Sequence, residues 1–167
     1  TIWGSGRAIL TNLPIRWFYT GMVLYFITCA QCAMQVTLTF QKLIHFTDWV
    51  VGHAHLVMFG VFSMWFFGMM TYLFPRLLKT PWYSRSLCEW HFWLSTGGIA
   101  VMFIDLTLAG VFQGYYWASL QPWQESIDGS QPFWVTRLFA GLAIIGGQFA
   151  FLYNLFMTWR RSGSQPA

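Results

Sequence analysis

Four long runs of apolar residues, separated by short polar joints, organise this chain. They cover roughly 15–40, 49–75, 88–117 and 132–159, and each meets the ~20 residues that a helix needs to cross the hydrocarbon core of a bilayer. The joints carry helix breakers: Pro75 and Pro81 flank one polar turn, and Pro122 and Pro132 bracket another that contains Asp128-Gly129. Backbone groups buried in lipid must be satisfied within their own segment, so each run predicts a helix. The expected fold is all-α, an integral membrane domain spanning 1–167 as one unit with four transmembrane helices. There is no internal repeat, and the tail Ser162-Gly163-Ser164 is the one low-complexity stretch.

Charge adds an orientation. Arg7 and Arg16 precede the first run, Arg76, Lys79 and Arg85 follow the second, and Arg160 and Arg161 follow the fourth. Four crossings put these on one side, leaving Lys42, Arg137, Glu125 and Asp128 on the other. The positive-inside rule then places both termini in the cytoplasm. Trp17, Trp49, Trp82, Trp90, Trp134 and Trp159 fall near the ends of the runs, where aromatic belts sit. Composition agrees, with 56% hydrophobic, 21% aromatic and only 8% charged residues, against roughly 25% charged in soluble domains. The net charge of +4 comes from too few charges to build a nucleic-acid face, so lipid is the expected surroundings and no nucleic-acid partner is expected. No cleavable signal pattern stands near Thr1 and no initiator Met is present, which suggests a fragment or a trimmed polypeptide.

The candidate chemistry is His53-Ala54-His55, just inside the outer end of the second run. Residues two apart point about 200° apart at ~3.6 residues per turn. The two imidazoles therefore do not share one metal ion as same-face pairs do. Each can serve a separate flat cofactor, and haem, whose iron takes an axial imidazole, is the obvious one. Small Gly52 and Ala54 let flat rings approach. The alternative is a pair of neutral histidines hydrogen-bonded between helices. His45 and Asp48 precede this run and Arg137 opens the fourth, all at the same membrane depth. Arg137, His45 and Trp49 suit the propionates of a haem; Arg137 as a simple interface anchor is the alternative.

The other polar residues carry less. Asp105, mid-membrane in the third run, must be protonated or paired; a packing contact with Thr107 or Thr136 is preferred over a place in a proton path. His91 is expected at the interface and Glu89 in water. Cys29 and Cys32 have C-x-x-C spacing without the trailing His of a c-type haem site, and read as small helix-packing residues. Cys88 reads as inert. Gly97-Gly98, Gly110, Gly114, Gly141 and Gly146-Gly147 mark close helix contacts, and Met58, Phe59 and Met64 are filler.

The run from His45 to His55 (HFTDWVVGHAH) resembles the tenth transmembrane helix of haem-copper oxidase subunit I, most closely the cbb3-type (C-family) cytochrome c oxidases and the related nitric oxide reductases. Tyr72 to Leu77 (YLFPRL), His91 to Thr96 (HFWLST), Gly110 to Gly114 (GVFQG) and Phe133 to Gly141 (FWVTRLFAG) are similar to the helices that follow it in that family, in the same order. The likeness runs from about residue 12 to 161. His55 to Gly60 (HLVMFG) is closer to the reductase wording, whereas HFTDW and the third-helix motif favour the cbb3 type.

The resemblance implies that His53 is the proximal ligand of a high-spin haem b at an oxygen-reducing site. It implies that His55 is one axial ligand of a low-spin haem b, with His45, Asp48 and Arg137 near haem propionates. It implies a respiratory cytochrome c oxidase whose c-type cytochrome subunits feed electrons to the low-spin haem. Family subunits have about twelve helices, and the copper histidines, the tyrosine near copper and the second low-spin ligand match nothing in this chain. Copper and catalysis would need the remaining helices of the core subunit or a second membrane subunit. Two other readings stand beside this one: a non-catalytic accessory subunit acting as a b-haem electron relay, and a structural partner whose histidines bind nothing.

Overall fold

The computed structural model describes residues 6–163; the expectations at Thr1 and Ser164 lie outside them. The described chain is helical: α1 (Gly6–Thr11), α2 (Leu13–Gln35), α3 (Leu38–Ile44), α4 (Asp48–Leu77), α5 (Arg85–Ala118) and α6 (Trp123–Ser162). Of these, α2, α4, α5 and α6 are long and apolar enough to cross a membrane. Local sequence sets their starts. The Asn12 side chain accepts from the Ile15 N–H with Pro14 in the first turn, Thr47 caps α4, and Ser84 accepts from the Leu87 N–H at α5.

Two joints differ from expectation. The first run does not continue to residue 40: α2 ends at Gln35, and α3 turns the chain toward α4. The stretch between Pro122 and Pro132 is helix, not turn, and adds two to three turns to the start of α6. Its cause lies in tertiary contact. Ser126 accepts from the Trp117 indole N–H at 3.0 Å, and Ser130 accepts from Gln113 at 3.3 Å, so this face is buried on α5. Pro132 forfeits one helical hydrogen bond, which these contacts offset.

At the basic end, α2, α4, α5 and α6 enclose an aromatic box. The His91 ring lies 4.8 Å from Trp17, 4.5 Å from Phe67 and 4.6 Å from Phe151, between centroids. His91 is 1% exposed and Trp17 fully buried, so both face the interior of the bundle and not its surface. Trp49 is likewise buried, while Trp90 and Trp159 are exposed as a belt requires. Glu89 is not simply hydrated either: both its oxygens meet the Arg16 guanidinium, which also lies 5.0 Å over the Phe92 ring. A paired charge on an aromatic face is cheaper to hold near lipid than a lone one.

Lipid is as apolar as the helix surfaces, so close packing and hydrogen bonds bind these helices together. The α5–α6 pair is the most extensive, with Gly98 seated on Ala140 and Ile144 and Gly147 on Ser95. Gly97, Gly141 and Gly146 make no such close approach. The tightest approach joins α5 to the end of α3 and the start of α4. A Cβ on Gly110 would overlap the Trp49 backbone nitrogen, and one on Gly114 would overlap the Leu43 carbonyl. Gly110→Ala should therefore destabilise the fold by about 1–3 kcal/mol, as overpacking does. Gly97→Ala, with nothing within 4 Å of the new carbon, should leave thermal stability in detergent unchanged. Equal melting of the two variants would contradict this packing.

Candidate haem-ligand site

The site is built from the first turn of α4 outward. The Thr47 hydroxyl donates to the Ile44 carbonyl at 2.7 Å and accepts from the Trp49 N–H at 3.3 Å, closing the corner between α3 and α4. Asp48 then locks onto α5 in both directions. Its backbone N–H donates to Gln113 Oε1 at 2.8 Å, and Gln113 Nε2 donates to Asp48 Oδ2 at 2.8 Å. The Trp134 indole N–H adds a third bond to the same oxygen at 3.1 Å, from α6. Arg137 Nη1 lies 3.8 Å from Asp48 Oδ1, with the Arg137 side chain 39% exposed. Asp48 thus has its own N–H satisfied by Gln113, puts a negative charge at the start of its helix, where one is favoured, and ties three helices together.

Trp49, pinned by Gly110 and edge-on to Phe40 at 5.3 Å, sets the next turn. His53 stacks on it at 5.7 Å with planes 7° apart. His53 Nδ1 lies 3.0 Å from Gln31 Oε1 on α2. A carbonyl oxygen only accepts, so Nδ1 carries the proton and Nε2 the lone pair. That Nε2 faces the Cys32 thiol at 3.7 Å.

His55 is exposed, and the contacts of its ring are with its own helix alone among the described residues. Its Nδ1 donates to the Val51 carbonyl at 2.8 Å, again leaving the Nε2 lone pair open. Immediately after it, Leu56–Ser63 winds as π-helix, and the Ser63 hydroxyl donates to the Met58 carbonyl at 3.0 Å. Such segments frequently mark functional positions.

Of the residues singled out in the sequence, Asp48 and Arg137 come together. His45 does not join them: it is exposed, accepts from Gln41 at 2.9 Å and lies against Phe46. Asp105 is buried and its Oδ2 has no partner among the described residues. The expected contact with Thr107 or Thr136 is not a hydrogen bond, since Thr107 Oγ1 is itself unpartnered and Thr136 donates to the Pro132 carbonyl. Cys29 and Cys32 are exposed instead of packed between helices, and Cys32 caps His53. Gln31, Gln113 and Trp134 were missed as site residues. The signal for Gln31 and Gln113 was an amide placed mid-run among apolar residues, which in lipid needs a partner.

A solved haem-copper terminal oxidase dimer aligns over 93% of this chain and 27% of its own, with a TM-score of 0.74 at 18% identity, so this is an all-helical membrane protein of the haem-copper oxidase fold. The family model for cytochrome c and quinol oxidase polypeptide I matches residues 1–143, and the chain belongs to that family. It is 29% identical over 177 residues to a cytochrome c oxidase subunit 1 homolog of Azorhizobium caulinodans, covering 100% of this chain and 32% of that protein. It is 26% identical over 176 residues to the cbb3-type cytochrome c oxidase subunit CcoN1 of Stutzerimonas stutzeri, covering 100% and 36%. A nitric oxide reductase chain of Stutzerimonas stutzeri is 28% identical over 133 residues, covering 73% of this chain and 27% of that protein. The chain spans about a third of the length of the curated relatives it matches.

Gln113→Ala should cost about 1–3 kcal/mol, because it strands the Asp48 N–H and removes a donor from its carboxylate. Gln124→Ala, which loses only a surface contact with Asp128 at 3.0 Å, should stay within about 0.5 kcal/mol of the parent. Denaturant or thermal unfolding in detergent checks both, and a neutral Gln113→Ala would contradict the anchoring role.

Proposed function

We propose that this chain contributes four helices, as one membrane domain, to the haem-binding core of a cbb3-type respiratory terminal oxidase. His53 would hold a high-spin haem b, and His55 would supply one ligand of a low-spin haem b. The observation that carries this reading is the state of the two rings. Each Nδ1 is held by an acceptor of the chain itself, Gln31 for His53 and the Val51 carbonyl for His55, which leaves the lone pair on Nε2, open in His55 and in His53 met by the Cys32 thiol that a bound iron would displace. Metal-bound histidines have this arrangement, in which the second nitrogen fixes tautomer and ring plane. The donor set therefore fits the group. Haem, when bound, supplies the one-electron and oxygen chemistry; the residues of this chain bind and orient it.

His53 leans toward α2 and His55 away from it, which supports one cofactor for each ring. Arg137, held near Asp48 yet partly exposed, has N–H groups to offer haem propionates. His45 stands at the same end of the bundle and takes a weaker part there. The second ligand of the low-spin haem and the histidines for copper belong to the remaining helices of the core subunit or to another membrane subunit, and c-type cytochrome subunits deliver the electrons. The seven basic residues gathered at one end support a bacterial cytoplasmic membrane with both termini inside. Likeness to a nitric oxide reductase chain supports nitric oxide as the second reading of the acceptor, and turnover of the purified complex with each gas separates the two.

His55→Ala should remove the low-spin b signal from the reduced-minus-oxidised spectrum. His53→Ala should keep that signal and lose both the carbon-monoxide-sensitive haem and turnover; a retained carbon monoxide shift would sink the assignment. Gln31→Leu frees the His53 ring and should weaken retention of the carbon-monoxide-binding haem about 10–100-fold while sparing the low-spin one.

A further inference from the structure

At the basic end of the bundle a pocket of about 490 Å³ opens where four segments converge. The joint between α1 and α2 supplies Thr11 to Pro14, α4 supplies Thr71, the following loop supplies Trp82, and α5 supplies Arg85 and Cys88. Its inner wall is apolar, with Leu13 and Cys88 buried and Trp82 half-buried. The polar groups of that wall are already engaged: Thr11 donates to the Arg7 carbonyl, Asn12 caps α2, and Trp82 Nε1 donates to the Thr71 carbonyl at 3.1 Å. Arg85 is different. It is exposed at the mouth, and among the described residues it makes one hydrogen bond, to the Thr11 carbonyl at 3.1 Å. A guanidinium carries five N–H donors, so most of its capacity is open to an occupant of the pocket it lines.

The charge around the mouth decides the sign of that occupant. Arg7, Arg16, Arg76, Lys79, Arg85, Arg160 and Arg161 share this end, and the one carboxylate there among the described residues, Glu89, is taken by Arg16. An anion with several acceptor oxygens matches the planar donor fork of Arg85. An apolar wall behind that fork, flanked by tryptophan at the end of membrane-spanning helices, matches an amphiphile instead of a small solute. We propose that this pocket binds an anionic glycerophospholipid, with the phosphodiester on Arg85 and the glycerol and first acyl carbons against Leu13, Pro14 and Trp82.

The test uses the complete complex, delipidated in detergent, with binding read by native mass spectrometry and by thermal stabilisation. The probes are phosphatidylglycerol, phosphatidylcholine with the same acyl chains, and inorganic phosphate. Phosphatidylglycerol should bind and stabilise in preference to the other two. Arg85→Gln should weaken it about tenfold or more, the equivalent of losing a charged hydrogen-bond partner. Arg76→Gln removes the same charge outside the pocket, and should keep the preference. If Arg85→Gln does not assemble, Arg85→Lys decides: it should retain the preference for phosphatidylglycerol at reduced affinity. Equal binding of the two lipids, equal protection by phosphate alone, or equal loss in Arg76→Gln would each overturn the proposal, the last by showing a diffuse basic surface.

Discussion

The corner between α3 and α4 lies so close to α5 that no β-carbon fits at Gly110 or Gly114, and the placement of the histidines descends from that contact. Gly110 and Gly114 let the backbone at Trp49 and Leu43 come in, and Gln113, between them, exchanges two hydrogen bonds with Asp48. A glycine pair alone gives proximity without register. The amide exchange supplies register, because sliding α4 by one residue would strand a buried amide, a backbone N–H and a carboxylate in a poorly solvating environment. One turn later, His53 inherits its plane from the buried Trp49 ring.

From this anchor, the period of the helix separates the functions of the two imidazoles. His53 turns toward α2, where Gln31 fixes its proton and Cys32 meets its other nitrogen. His55 turns away and has to satisfy Nδ1 from its own backbone at Val51. Two residues of one short segment therefore carry their lone pairs on the same nitrogen but in different surroundings, against Cys32 for His53 and open for His55. The π-helical turn from Leu56 follows at once, so the winding that fixes the histidines differs from the winding below them. The far end of α4 is held by another means, the aromatic box around His91.

Much of this was legible in the sequence because lipid imposes simple rules. Apolar length and the spacing of His53 and His55 each depend on residues close in the chain, and the family likeness added the order of the later motifs. What stayed hidden depends on contacts across the fold. Pro122 to Pro132 reads as a turn until Ser126 and Ser130 find Trp117 and Gln113. His91 near a run end reads as interfacial until three aromatic rings close on it. Gln31 lies 22 residues before the histidine it holds, and nothing local distinguishes it from Gln35. His45 fails in the opposite sense: proximity to Asp48 in sequence suggested a shared site, but the turn through Phe46, at φ 66°, directs it to Gln41.

The central claim is that His53 and His55 serve two different haems. Its most direct test is the haem content and the reduced-minus-oxidised spectrum, with and without carbon monoxide, of the purified complex containing this chain. The account predicts two b haems for each copy of the chain, one low-spin and indifferent to carbon monoxide, the other high-spin and shifted by it. A single b haem blind to carbon monoxide, or no haem at all, would contradict it.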